Sequence, residues 1–232
     1  MHSQHFDRPL RPGEGQPYRE PQVGIRAIDP LNEEDIRRLR LIDRDPVRIW
    51  EFEGDNPYEP LTDGELRDFA TPNDRKLFFA VVGSAEHPGL PTTEVDQVQG
   101  WFKLIPDSPG RVNQLRSHGI ITPQTDEDIW KISCAKLKDA PRGQMASAMR
   151  QVCMQFAGMS DEALPTVVAY ITPTNQASIN MTLAAGFVKQ EAMVEYEAGH
   201  PPNSVYVLDW ARLQEITQRP PLPEPSGEQA VL

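Results

Sequence analysis

The chain has 232 residues, which suits one domain with extensions or two small domains. Its 23 Lys and Arg against 34 Asp and Glu give a net charge of -11 and a pI near 4.9. Such a surface repels phosphate backbones, so nucleic acid is excluded as the main partner. It either attracts cationic ligands such as amines or serves only solubility. No apolar run approaches the roughly 20 residues that cross a bilayer. The start, Met1-His-Ser-Gln-His-Phe-Asp7, lacks a basic and then apolar signal, so a cytoplasmic protein without a membrane partner is expected. Cys134 and Cys153 lie in apolar surroundings and read as reduced, buried thiols.

In chain order, residues 1–22 are polar and rich in Pro and Gly and read as a flexible arm. Val23 to Ile28 alternates like a strand. Asp29-Pro30 is expected to cap an amphipathic helix carrying Ile36, Leu39 and Ile42, closed by Asp45-Pro46. An irregular region holds Trp50 to Tyr58, and a short helix is expected from Asp63 to Phe69. Lys76–Val82 and Val98–Ile105 read as antiparallel strands joined by a polar loop. Another strand covers Glu127 to Leu137. After it, Met145, Met149, Val152, Cys153 and Phe156 form the apolar stripe of a helix that reaches about Gly158. Leu164 to Ile171 is the next strand, and a strand–helix–strand crossover from 129 to 171 demands a parallel, right-handed pair. Asn175 then caps a helix of about three turns, Gly186 ends it in a left-handed turn, and Phe187 opens the last two strands. From about Gln214 the composition becomes proline-rich and cannot continue a helix or central strand.

Two motifs carry chemistry. The loop Arg142-Gly143-Gln144-Met145-Ala146-Ser147 joins a strand to a helix N-terminus. Unpaired N–H groups and the helix dipole make that an anion site fit for a pyrophosphate. Gly143 permits close backbone approach, and Arg142 adds charge. The second motif is Asn175-x-x-Ser178 with Gly186-Phe187.

The first motif resembles the acetyl-CoA pyrophosphate loop of the GNAT acetyltransferase superfamily, which usually reads Arg-Gly-x-Gly-x-Gly or Ala. The second resembles that family's Asn-x-x-Ala/Ser…Gly-Phe motif, and the element order from Val23 to Leu213 is similar as well. The resemblance implies an α/β (α+β mixed) fold: a mostly antiparallel central sheet of six to seven strands, flanked by about four helices, parting in a V-shaped cofactor cleft. It implies a domain at 23–213, between an arm at 1–22 and a Pro-rich tail at 214–232. Acetyl-CoA is the implied acyl donor. Backbone of Cys134, Ala135 and Leu137 would pair with the pantetheine arm as an added strand. Arg142, Gly143, Gln144, Met145, Ala146 and Ser147 would hold the pyrophosphate, and Asn175 and Ser178 would flank the thioester. The implied reaction is direct attack of a primary amine, on a small metabolite or a protein, in a monomer or homodimer. No metal is called for.

The chain departs from the family at two places. Met145 stands where the loop usually has glycine, and Thr182 where the family often has a tyrosine that protonates the leaving thiolate. Ser178 or water is then left as proton donor, or both hydroxyls merely pack. The candidate bases are Glu127 and Asp128, which read more readily as a solvated strand end, with Asp107 and Glu53 as weaker candidates. Trp50, Glu51, Glu53, Asp55 and Tyr58 read as an amine-acceptor pocket or as an aromatic-anchored loop. The departures leave a second reading open: an acyl-CoA-binding regulatory domain with little turnover.

Overall fold

The structure, a computed structural model, describes residues 23–45, 59–73, 75–83, 96–121, 129–138, 140, 143–159, 164–195 and 202–218. The strands are β1 (Val23–Arg26), β2 (Leu77–Gly83), β3 (Val98–Pro106), β4 (Ile129–Lys136), β5 (Thr166–Ile171), β6 (Phe187–Val194) and β7 (Asn203–Leu208). The helices are α1 (Glu33–Asp43), α2 (Asp63–Ala70), α3 (Pro109–Ser117), α4 (Gln144–Ala157), α5 (Gln176–Ala184) and α6 (Trp210–Gln218). One seven-stranded sheet runs in the order β1-β2-β3-β4-β5-β7-β6. Every neighbouring pair is antiparallel except β4–β5, which the α4 crossover makes parallel.

The β4–β5 ladder is short. Ile129, Trp130 and Lys131 pair with Thr166, Val167 and Val168, and there the pairing stops. Yet β4 continues to Lys136 and β5 to Ile171, each well paired on its other side. The sheet therefore parts beyond Lys131 and Val168, as the resemblance implies.

Side-chain alternation assigns the two faces. Trp130, Ile132 and Cys134 of β4 pack with Met145, Met149, Val152 and Phe156 of α4, beside α5 and α6. Ala135 lies on the opposite face with α1 and α2, and Ile129 lies there with Val112 and Leu115 of α3. Burying Ile36, Leu39 and Ile42 completely draws α1 onto the sheet, at about 1.5–3 kcal/mol per side chain.

Several expectations change. The helix cap is Asn32, which accepts from Glu34 and Asp35 N–H; Asp29 instead accepts from Leu31 N–H in the turn before it. That start places Glu33, Glu34 and Asp35 in the first turn, where the dipole favours them. The described residues hold six helices, not about four. The unforeseen ones are α3 and α6, whose buried residues are few: Val112 and Leu115 in α3, Leu213 in α6. Helix α6 also runs through the expected tail boundary at 213/214 to Gln218. Cys153 is buried as expected, but Cys134 is only half-buried.

Candidate functional site

At the open end of the split lies the start of α4. Gly143 is its N-cap, with φ 80° and ψ -19° and no side-chain cap bond. A side chain at that left-handed position would be strained, which is the reason for glycine. Ala146 and Ser147 N–H both turn back to Gly143 O, at 3.2 and 3.3 Å. Among the described residues Gln144 and Met145 N–H have no such bond, as expected of the first residues of a helix. Of the six loop residues singled out from sequence, five are described, and two of these, Ala146 and Ser147, have their N–H groups engaged within the turn. Arg142 lies outside the described residues.

Met145 answers the first departure. Its side chain is buried in the core beneath α4. Its sulfur fills the space over Gly100 of β3, where an added Cβ would come within 2.9 Å of it and 2.8 Å of Ala135 O. Because it points inward, the methionine side chain does not itself occupy the outer side of the turn. Gln144 is also buried, and its Oε1 has no partner among the described residues.

Along the limb of the split, Cys134 turns toward the α4 face, whereas Ala135 and Leu137 pack under α1 and α2. Leu137 N–H donates to Gln99 O at 2.8 Å. Across the split, Asn175 caps α5, its Oδ1 accepting from Ser178 N–H at 3.0 Å. Gly186 follows with φ 96° and closes the helix against Leu213. The α4 turn and the start of α5 therefore follow the C-terminal ends of β4 and β5, the two strands that part.

Proton donors are scarcer. Thr182 is 1% exposed, and its Oγ1 has no partner among the described residues, so the hydroxyl packs in the core. Tyr206 is fully buried as well, and burial pushes its phenol up. Cys153 is pushed up to about 12 by burial, which makes it inert as a nucleophile. Asp107 is a buried carboxylate that accepts from Ser108 N–H at 2.8 Å, Arg111 Nε–H at 2.6 Å and the Tyr170 hydroxyl. Those three donors hold the carboxylate in place. Sequence reading did not link Tyr170 or Arg111 to Asp107, because nothing local ties a residue of β5 to one of α3. Glu127, Asp128, Glu53 and the whole Trp50 to Tyr58 segment lie outside the described residues.

No protein-family model matches the chain, and no curated protein matches it. Solved structures do. The chain is similar to AAC(6')-Ib in complex with ribostamycin and coenzyme A, at 12% identity and a TM-score of 0.59, over 85% of this chain and 98% of that one. It is similar to the aminoglycoside acetyltransferase AAC(6')-Ib with coenzyme A and kanamycin, at 14% identity and TM-score 0.58, over 84% and 98% of the two chains. A spermidine N-acetyltransferase SpeG chimera from Vibrio cholerae and hSSAT matches at 12% identity and TM-score 0.55, over 85% and 99%. The split seven-stranded sheet and the glycine-led helix at its mouth give this chain the fold of the GNAT acetyltransferases.

Proposed function

We propose that the protein is an acetyl-CoA-dependent N-acetyltransferase acting on a primary amine. The observation that carries this reading is the β4–β5 split, which leads directly to the α4 N-terminus. The residues present fit a coenzyme A. Gln144 and Met145 N–H, with the helix dipole, suit a pyrophosphate, and the left-handed Gly143 removes the Cβ that would block it. The edge of β4 beyond Lys131 has lost β5 as a partner and suits an extended amide-bearing arm. When bound, acetyl-CoA supplies an activated acetyl thioester. The chain's part is to hold that thioester in the split and present an uncharged amine to it. The aminoglycoside and spermidine acetyltransferases of the same fold support an amine as acceptor.

A second reading, an acyl-CoA-binding domain with little turnover, draws on one observation: Thr182 is buried in the core and offers no proton at the cleft.

Two measurements test both readings. Acetyl-CoA at about 100 times its Kd adds about 2.7 kcal/mol to the folded state and should raise Tm by roughly 5–10 °C. Gly143→Asp, which adds a strained side chain and a negative charge at the anion site, should abolish that rise. A rise that survives the substitution refutes the placement of the loop. Release of free thiol with spermidine, kanamycin or a lysine peptide then marks an enzyme. A thermal shift without thiol release from any of them leaves the binding domain as the answer.

A further inference from the structure

We propose that the hydrogen bond from the Tyr170 hydroxyl to Asp107 is a clip that fixes the angle between the two halves of the sheet, and with it the width of the slot between β4 and β5. Tyr170 and Asp107 are then positioning residues for the acetyl donor, a role that rests on the acetyl-transfer reading and deepens it.

The need for a clip follows from the ladders. Strands β1 to β4 form one antiparallel half of the sheet, and β5, β7 and β6 form the other. The halves join through three residue pairs, Ile129–Thr166, Trp130–Val167 and Lys131–Val168. A parallel ladder is slightly weaker per residue than an antiparallel one. By contrast, β3 and β4 share seven pairs, from Gly100–Lys136 to Pro106–Trp130. Packing adds to the joint on both faces. Helix α4 covers one, and on the other Val112 and Leu115 of α3 pack with Ile129 of the first half and with Val168 and Val205 of the second. Apolar burial is non-directional, so it holds the halves together without fixing their angle. A hydrogen bond is directional and does fix it.

The Tyr170–Asp107 bond joins the halves where they part. Asp107 belongs to the first half: it follows β3, and its N–H donates to Ile129 O at 2.9 Å, beside the first parallel pair. Tyr170 belongs to the second: it lies two residues beyond Val168, the last residue paired with β4, and it pairs with Val205 of β7. Its hydroxyl proton, given to Asp107, therefore ties the departing limb of β5 to the base of β4.

Asp107 is built as an anchor for that tie. Its side chain is 0% exposed. Ser108 N–H at 2.8 Å and Arg111 Nε–H at 2.6 Å hold one carboxylate oxygen, and the other accepts from Tyr170. A hydrogen bond to an ionised acceptor is roughly twice as strong as a neutral one, and burial keeps water from competing for it. The Arg111 guanidinium also lies 5.9 Å from the Tyr170 ring centroid, so it steadies both partners. A slot held at fixed width is pre-organised, because its ordering cost falls on folding rather than on binding.

Isothermal titration calorimetry with acetyl-CoA tests the clip on the wild type, Tyr170→Phe, Asp107→Asn and the double variant. Tyr170→Phe keeps the ring and deletes the bond, so Kd should rise about tenfold. Asp107→Asn keeps an acceptor but removes its charge, so Kd should rise less, about three- to fivefold. The double variant should bind as weakly as Tyr170→Phe alone, since both changes act through one bond. A tie that serves stability alone would lower Tm in every variant and leave each Kd within about twofold of wild type, and that result overturns the proposal. Losses that add in the double variant overturn it as well. If Tyr170→Phe does not fold, the Kd of Asp107→Asn decides by the same criterion. A wild type that binds acetyl-CoA, with variants equal to it, sinks the clip alone. A wild type that does not bind acetyl-CoA sinks the clip together with the acetyl-transfer reading.

Discussion

Gly186 shows how one residue connects local geometry to packing. Its φ is 96°, and a Cβ there would come within 3.2 Å of Leu213 Cα and N. Both the left-handed backbone and the close approach of α6 exclude a side chain. Gly186→Ala should cost about 1–3 kcal/mol and lower Tm by roughly 2–10 °C. Calorimetry showing an unchanged Tm would mean that α6 yields at this point. Gly143 and Asn175 were as readable as Gly186 from sequence, because caps and left-handed turns are set by a few neighbouring atoms. Met145 was not. Its fit over Gly100 depends on a strand distant in sequence, which no local pattern reveals.

Helix α1 shows where local rules suffice and where they fail. Asn32 caps it, and Glu34 pairs with Arg37 at 2.6 Å and with Arg38 at 3.2 Å. Arg37, then Arg38, hold the Glu34 carboxyl at about 2, below its ordinary 4.5. A lowered folded pKa means that the stabilisation is complete above about pH 4.5 and is lost as pH falls towards 2. Glu34 is largely solvated, so the contribution is only about 0.5 kcal/mol. Glu34→Gln should therefore be slightly less stable than wild type in urea at pH 7, with the gap closing below pH 4.5. A gap independent of pH would show that charge plays no part. The buried Asp35 is a different case: it takes two 2.7 Å bonds from Arg26 of β1, a contact between elements. Helix α3 was missed although Ser108-Pro109 is a good start signal, since its few apolar residues give no stripe. It nevertheless brings Arg111 to Asp107.

The whole molecule carries a net charge of -11. An acidic surface concentrates cations near it and loses that effect once the Debye length shortens to a few ångströms. For a polyamine acceptor, KM should rise with salt towards about 1 M, whereas KM for a neutral amine should not. Equal salt dependence for both would assign the acidity to solubility alone. By itself the sequence determined the alternating strands and the amphipathic α4. It also determined the glycine-led turn at Gly143 and the Asn175–Gly186 helix, and with them the class of fold. These rest on hydrophobic period, capping and backbone sterics, which act within a few residues. The tertiary structure decided where β4 and β5 part, that Met145 turns inward, that Thr182 is withdrawn into the core, and that Tyr170 meets Asp107. Each depends on groups far apart in the chain, brought together only when the faces of the sheet are covered.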